Sequence, residues 1–186
     1  MSQRARPSAP GTSQAESGKS SKQMARIPYA PKEKPGAEHA LNLFRMLAHS
    51  TPVFMGFAQL GTAILTDSKL DPKLREMAIV RVGRRMGASY EVDKHEQIGR
   101  SLGLSQTQLA ALHPGADQAA LGDSGRAVVA LADDLISRAR ASDETFARAR
   151  EYLDDRETVE LVVTVGYYGM VCRVLETLEV DHEAAE

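Results

Sequence analysis

The spacing of apolar residues between positions 72 and 102 constrains this chain most, because it describes two consecutive amphipathic helices joined by a short glycine-containing turn. Glu76 lies within the apolar arc of the first helix, and Glu91 and His95 lie at the centre of the apolar face of the second. Glu91 and His95 are four residues apart, so they are neighbours on the helix surface. The pattern therefore predicts that three ionisable groups from adjacent helices point toward one interior.

Each of these residues also has an ordinary structural interpretation. A single inward His is often a hydrogen-bonded core residue, and an inward Glu often pairs with a neighbouring helix. Burial of charged groups is costly unless they are paired or functional. The coincidence of Glu76, Glu91 and His95 favours a functional site over three unrelated structural residues.

The remainder of the chain shows helical patterning and no sustained alternation of apolar and polar residues, which predicts an all-α fold. Asp71-Pro72 has the pattern of an N-cap followed by a first-turn proline. Ser105 with Gln108, and Asp154 with Glu157, have the pattern of capping boxes. The predicted helices span residues 38–48, 52–66, 72–86, 89–102, 105–112, 124–138, 143–153 and 155–178.

The last predicted helix, 155–178, is apolar on nearly all sides. Such a helix is buried either centrally in its own domain or by a partner. Gly166 and Gly169 would allow another helix to approach closely. A homo-oligomer is therefore expected, the alternative being a well-covered core helix in a monomer.

Composition separates an N-terminal segment from the domain that follows. Residues 1–23 are rich in Ser, Gly, Pro, Ala and Gln, which predicts disorder, or else a transit peptide, before a single helical domain over residues 24–186. The net charge of −2 gives no reason to expect nucleic acid or an anionic membrane as partner. One cysteine suits a reducing cytoplasm, and no run is expected to reach the length of about 18 apolar residues that spans a bilayer.

The ordered motifs of residues 74–112, together with the last helix, resemble the carboxymuconolactone decarboxylase family, which includes the alkylhydroperoxidase D-like proteins. The resemblance covers about residues 38–180 and implies an alkylhydroperoxidase D-like multi-helix bundle that assembles as a trimer or hexamer. The matching pieces are Arg75-Glu76, Ile79-Val80-Arg81-Val82, Tyr90-Glu91-Val92 leading to His95, Ile98-Gly99, Gly103-Leu104-Ser105, and Tyr167-Tyr168-Gly169-Met170-Val171 with Arg173.

One departure from the family pattern distinguishes between its two chemistries. The peroxidase members carry a Cys-x-x-Cys pair just before the His, and here those positions are Ala88 and Glu91. The single cysteine, Cys172, lies in the apolar last helix. Thiol peroxidase chemistry needs a thiolate and normally a second, resolving thiol. The resemblance therefore implies the cysteine-free, decarboxylase-like branch rather than an alkylhydroperoxidase or peroxiredoxin-type antioxidant.

That branch implies a cofactor-free lyase acting on a small carboxylated lactone or related acid. CO₂ would leave, and a group of suitable pKa would deliver a proton to carbon. Glu76 and His95 are the expected catalytic pair, and Glu91 would tune the imidazole. Tyr90 at the pocket mouth and His49 are expected to support them, although His49 also suits a surface position at a helix end.

The same residues leave other functions open. The same acid–base pair would serve an isomerase or hydrolase of related lactones. The chain would equally suit a catalytically silent helical scaffold or a small-ligand binder that kept the fold. Glu76, Glu91 and His95 are also metal-ligand types, but no His-x-x-x-His or Glu-x-x-His pair accompanies them, so no metal site is expected.

Overall fold

The computed structural model describes residues 25–38 and 41–183, and all regular structure within these residues is helical. The predicted all-α class is therefore confirmed. A 3₁₀ turn at Ala119–Leu121 precedes the sixth helix. The helices are α1 Asn42–Leu47, α2 Thr51–Thr66, α3 Pro72–Met86, α4 Ser89–Ser101, α5 Gln106–Ala111, α6 Gly122–Arg138, α7 Asp143–Arg150 and α8 Asp155–Leu178.

The sequence signals fix several helix ends. The side chain of Asp71 accepts hydrogen bonds from the backbone N–H groups of Lys73 and Leu74, so α3 begins where the cap predicts. Both predicted capping boxes form, at the starts of α5 and α8. Within the described residues, α1 is shorter than the predicted 38–48, and α7 ends at Arg150 rather than 153.

Helix α3 lies at the centre of the fold and packs against α4, α6 and α8. Ala78, Ile79, Val80 and Val82 of this helix have no exposed surface, because its neighbours cover them on all sides. The apolar arc that the spacing predicted is therefore the core of the domain.

Gly83 sets the distance between α3 and α4. A Cβ atom at this position would lie 2.9 Å from Cγ2 of Val92 on α4, closer than carbon atoms can pack. The turn between the two helices passes through Gly87, whose φ of 73° is readily adopted only by glycine. These two glycines let α4 fold back tightly along α3, so side chains on the facing surfaces can touch.

Helix α8 has a buried side and an exposed side. Leu161, Val165, Tyr168 and Cys172 are buried, whereas Val159 is 63% exposed. The other exposed apolar residues of this face are Val162, Val163 and Met170.

By length and composition alone, α8 could cross a membrane, contrary to the expectation that no run reaches spanning length. However, 56% of its most apolar window is buried inside the protein. Such burial is typical of the core helix of a globular domain.

The first described residues pack against the end of the chain. The backbone N–H of Arg26 donates to the carbonyl of Leu178 at 2.9 Å, and the backbone N–H of Ala25 donates to the Asp181 carboxylate at 3.1 Å. The predicted disordered segment, residues 1–23, lies outside the described residues, so that prediction stays untested.

Two glycines of α2 provide a matched test of the packing of α2 against α8. A Cβ at Gly61 would lie 2.4 Å from Oη of Tyr167, whose hydroxyl donates to the carbonyl of Phe57 at 3.1 Å. Gly61→Ala should therefore displace the ring and lower the free energy of unfolding by about 1–3 kcal/mol. Gly56→Ala meets nothing within 4 Å. That control should raise the free energy of unfolding by about 0.5–1 kcal/mol, because alanine favours helix.

Urea unfolding of the two variants beside the parent protein checks both signs. Equal stabilisation by the two substitutions would contradict the tight contact between α2 and α8.

Candidate active site

The three ionisable residues of α3 and α4 meet as predicted. His95 Nδ1 lies 2.6 Å from Oε2 of Glu76, and His95 Nε2 lies 3.0 Å from Oε1 of Glu91. Glu76 is fully buried, and Glu91 and His95 are 4% and 7% exposed. Each ring nitrogen therefore has a carboxylate oxygen within hydrogen-bonding distance, an arrangement that favours the doubly protonated imidazolium.

A fourth charged group completes this buried cluster. The guanidinium of Arg75 places Nε 3.3 Å from Oε1 of Glu76, and its side chain is buried as well. With His95 protonated, two cations face two carboxylates, so the cluster carries no net charge. Charge balance of this kind lowers the cost of burying four ionisable groups.

The electrostatics favour a charged imidazole. Burial works against the imidazolium, but the hydrogen bonds and negative charges of Glu76 and Glu91 outweigh it and raise the pKa of His95 to about 9. Two carboxylates, one at each ring nitrogen, cause this rise. At pH 7 His95 is therefore protonated and suited to act as a general acid.

A cavity of about 660 Å³ opens beside the cluster, between α1, α2, α4 and α8. Glu91 and His95 line it, whereas Glu76 lies behind the imidazole and does not. A volume of this size accommodates a small organic molecule. Most of the wall is apolar, with Leu41, Leu43, Phe44, Phe57, Ile98 and Val171 among its residues.

The position of Glu76 behind the ring changes the expected roles. Of the four clustered residues, only Glu91 and His95 line the cavity, so these two can touch a bound molecule. Glu76 acts through His95, by holding Nδ1 and fixing the ring plane. The sequence prediction that these residues share a site agrees with this geometry, but Glu91 lies closer to the cavity than its supporting role implied.

Two tyrosines of α8 complete the wall near the imidazole. The Tyr168 ring packs edge-on against His95, with ring centroids 4.8 Å apart. Tyr167 packs on Phe57 of α2 at 4.9 Å. Burial raises the pKa of both phenols, and the charge of Glu91 adds to this effect. Both hydroxyls therefore remain protonated over the physiological range, and that of Tyr167 donates to the carbonyl of Phe57.

Sequence reasoning did not assign these tyrosines to the site. The available signal was the pair of adjacent aromatic residues in the apolar middle of α8. Lys94 was also missed, because its position on the helical wheel groups it with the exposed residues of α4, yet it lines the cavity.

Tyr90 and His49, the two expected supporting residues, lie in different places. Tyr90 lines the cavity, as expected, and its hydroxyl donates to the carboxylate of Glu183. His49 does not line it. His49 lies at the surface beyond the end of α1, with Nε2 2.7 Å from the carbonyl oxygen of Pro28. The alternative expectation for His49, a surface position near a helix end, is therefore the one observed.

The arginines of α3 serve packing rather than the cavity. Arg81 is buried and forms two hydrogen bonds with the Asp133 carboxylate of α6, at 2.8 and 2.7 Å. Arg84 is paired with Glu96 of α4 and donates to the carbonyl of Leu109. These contacts hold α3 to its neighbours. Among the described residues, no group of three or more His, Cys, Asp or Glu side chains has the arrangement of a metal site.

Residues 52–134 match the model of the carboxymuconolactone decarboxylase family. This part of the chain is similar to that family. The uncharacterized protein YdfG of Bacillus subtilis is 26% identical over 101 residues, which span 53% of this chain and 69% of that protein. The predicted family resemblance is thus confirmed.

Solved structures show the same fold at low sequence identity. An uncharacterized peroxidase-related protein with an alkylhydroperoxidase AhpD core, from Ralstonia eutropha JMP134, aligns with a TM-score of 0.68 at 21% identity, over 86% of this chain and 92% of that one. A variant of the debrominase Bmp8, in complex with 2,3,4-tribromopyrrole, aligns with a TM-score of 0.67 at 17% identity, over 81% and 83%. The alkylhydroperoxidase D-like fold is therefore confirmed.

Ala88 and Glu91, which stand at the two positions where the resemblance places thiols, are both buried but differ in what they contact. Ala88 is fully buried and precedes the first turn of α4, so it contributes no reactive group. Glu91 faces the cavity and contacts the imidazole. Burial and the charge of Glu91 raise the pKa of the Cys172 thiol to about 12, so this thiol is a poor nucleophile.

The charge state of His95 can be measured directly. Because its folded pKa is raised above the unfolded value, its charge stabilises the native state fully below about pH 6.5 and loses that effect as pH rises through about 9. Nitrogen-15 NMR of the imidazole should show a midpoint near 9. Glu91→Gln removes one of the two negative charges and should move the midpoint down, and the stability profile should shift with it.

Asp93→Asn is the matched control, because Asp93 lies on the same helix with its side chain exposed to solvent. A midpoint near or below that of free histidine in the parent protein would contradict the proposed ion-pair cluster.

Proposed function

We propose that this protein is a cofactor-free lyase of the decarboxylase type, acting on a small carboxylated lactone or related acid. The observation that carries the proposal is the contact of Glu91, His95 and Glu76 at the wall of a largely apolar cavity. A paired imidazolium in a cavity of this kind is a positioned proton donor. Similarity to the carboxymuconolactone decarboxylase family supports the reaction class.

The chemical step needs one proton from the protein. The carbon–carbon bond to the leaving carboxylate breaks and CO₂ departs. The electron pair of that bond stays on the unsaturated lactone, which becomes an enolate. The Nε2 proton of His95, which faces Oε1 of Glu91 in the free protein, leaves that carboxylate and forms the new bond to carbon. The neutral imidazole keeps its remaining proton on Nδ1, directed at Glu76, and solvent restores the lost proton.

The surrounding groups favour this sequence of events. The hydroxyl of Tyr168, kept protonated by burial, is a suitable donor to the developing enolate oxygen. Glu91 keeps the imidazole protonated before reaction, because its carboxylate faces Nε2. The apolar wall favours loss of charge from the substrate carboxylate, since CO₂ is neutral and the carboxylate is not.

The test is a screen of purified protein against lactone acids and β-keto acids, with CO₂ release as the readout. On the best substrate, His95→Gln and Glu76→Gln should each lower turnover by at least about a hundredfold. The double variant should be little worse than the poorer single variant, because the two residues act as one unit. Asp93→Asn, on the same helix but exposed, should retain parental turnover.

Near-full activity of His95→Gln would refute the site. Tight binding of acids without CO₂ release from any of them would instead favour the alternative of a small-ligand binder, to which the size and apolar lining of the cavity are also suited.

We further propose that the protein assembles as a homo-oligomer, as a trimer or hexamer, in the cytoplasm. The support is the exposed stripe on α8 formed by Val159, Val163, Gly166 and Met170, which recur with helical spacing. A second exposed apolar group lies on α2, at Val53, Met55 and Leu60. Exposure of two apolar surfaces to water is unfavourable in a monomer, and a subunit interface would bury them.

Val163→Lys should dissociate the assembly, because it places a charge in the stripe. Ala147→Lys adds the same charge at an exposed position of α7 and should leave the assembly intact. Sedimentation velocity at micromolar concentration distinguishes them. A parent protein that sediments as a monomer would contradict the proposal.

A further inference from the structure

The carboxylate of Glu183, near the end of the chain, is held by groups of the cavity wall. Its Oε2 lies 2.6 Å from Nζ of Lys94, and its Oε1 accepts hydrogen bonds from the hydroxyl of Tyr90 and from the backbone N–H of Asn42, the latter at 2.9 Å. Tyr90 and Lys94 line the cavity. Asn42 lies between Leu41 and Leu43, which line it too.

These three donors match what a carboxylate requires. An ammonium group, a phenol and a backbone amide converge on two oxygens of one side chain, and hydrogen bonds to a charged acceptor are the strong ones. Burial raises the pKa of the Tyr90 phenol, and the hydrogen bond to Glu183 adds to this, so Tyr90 stays a donor. Burial of Glu183 opposes its charge, but the bonds from Lys94, Tyr90 and Asn42 lower the pKa of Glu183 to about 2.

The C-terminal segment does not need Glu183 to stay in place. The carboxylate of Asp181 accepts hydrogen bonds from the hydroxyl of Tyr29 at 3.0 Å and from the backbone N–H of Ala25 at 3.1 Å. The side-chain amide of Asn42 also donates to the carbonyl of Asp181 at 2.9 Å. The segment is therefore anchored two residues earlier, and the contact of Glu183 can open without releasing it.

The donors are placed to serve the acid–base site. On α4, Tyr90 and Lys94 form one i, i+4 row, and Glu91 and His95 form the row beside it. All four side chains line the same cavity. A small molecule whose carboxylate took the place of Glu183 on the first row would present its remaining atoms to His95 on the second.

We propose that Tyr90, Lys94 and the backbone amide of Asn42 form a carboxylate-binding subsite of the cavity, which Glu183 occupies in the free protein and which a substrate carboxylate takes over. The identity of the occupant as a substrate rests on the proposed function. The carboxylate bound there is one that the reaction retains, because an ion pair with Lys94 would stabilise a leaving carboxylate and slow its loss.

Intramolecular occupation lowers the apparent affinity for a competing carboxylate by the fraction of protein in which the subsite is free. Glu183→Ala should therefore tighten binding of benzoate by about tenfold, as measured by titration calorimetry on the full chain. Lys94→Met in the Glu183→Ala background should remove that gain. Benzamide, which has the same shape without the charge, should bind equally to all variants.

Glu176→Ala is the matched control, because it removes an exposed carboxylate from the end of α8 and should leave benzoate binding unchanged. Circular dichroism verifies folding, and Glu183→Gln provides a second variant in which the charge alone is lost. Unchanged benzoate affinity in both Glu183 variants would overturn the subsite, as would a tightened affinity that survives Lys94→Met.

The readout is binding without turnover, which separates this inference from the proposed reaction. Tighter benzoate binding in a protein that releases no CO₂ would leave the subsite standing and refute the lyase. Turnover with a KM that Lys94→Met does not change would refute the subsite and leave the lyase standing.

Discussion

The contact between His95 and Glu76, with 2.6 Å between Nδ1 and the carboxylate oxygen, joins the two helices on which the site of this protein depends. Glu76 is fully buried in the central helix α3, where an unpaired carboxylate would be strongly destabilising. The imidazole on α4 satisfies it, Arg75 contributes a second cation, and Glu91 faces the other ring nitrogen. Because each buried charge is compensated by the others, these ion pairs fix the position of α4 against α3, together with the packing at Gly83.

The same cluster determines what the cavity can do. Only one edge of it, formed by Glu91 and His95, reaches the cavity, and the remainder lies behind the ring. The enclosed carboxylates keep His95 protonated at neutral pH, so the cavity presents a proton donor rather than a base. The carboxylate of Glu91 contacts the imidazole at the cavity wall, an arrangement suited to acid–base chemistry and therefore to the proposed lyase.

The surface of the domain shows two further features with functional consequences. The apolar stripe on α8 and the apolar group on α2 are exposed in a single chain, and the proposed oligomer would cover them. At the cavity, Glu183 holds the donors Tyr90 and Lys94 in the geometry that a bound carboxylate would need. In the free protein Glu183 satisfies these donors, and in the proposed subsite a ligand carboxylate would take over that role.

The sequence by itself determined the helical class, the ends of α3 and α8, the caps at Asp71, Ser105 and Asp154, and the convergence of Glu76, Glu91 and His95. These properties follow from local periodicity and capping, in which each residue interacts with neighbours a few positions away. Only the tertiary structure decided that Glu76 is shielded from the cavity, that Lys94 and the two tyrosines of α8 enter it, and that Glu183 reaches α4. Those contacts join residues far apart in sequence, such as Lys94 and Glu183, and they depend on how helices cross, which the period of a single helix does not specify.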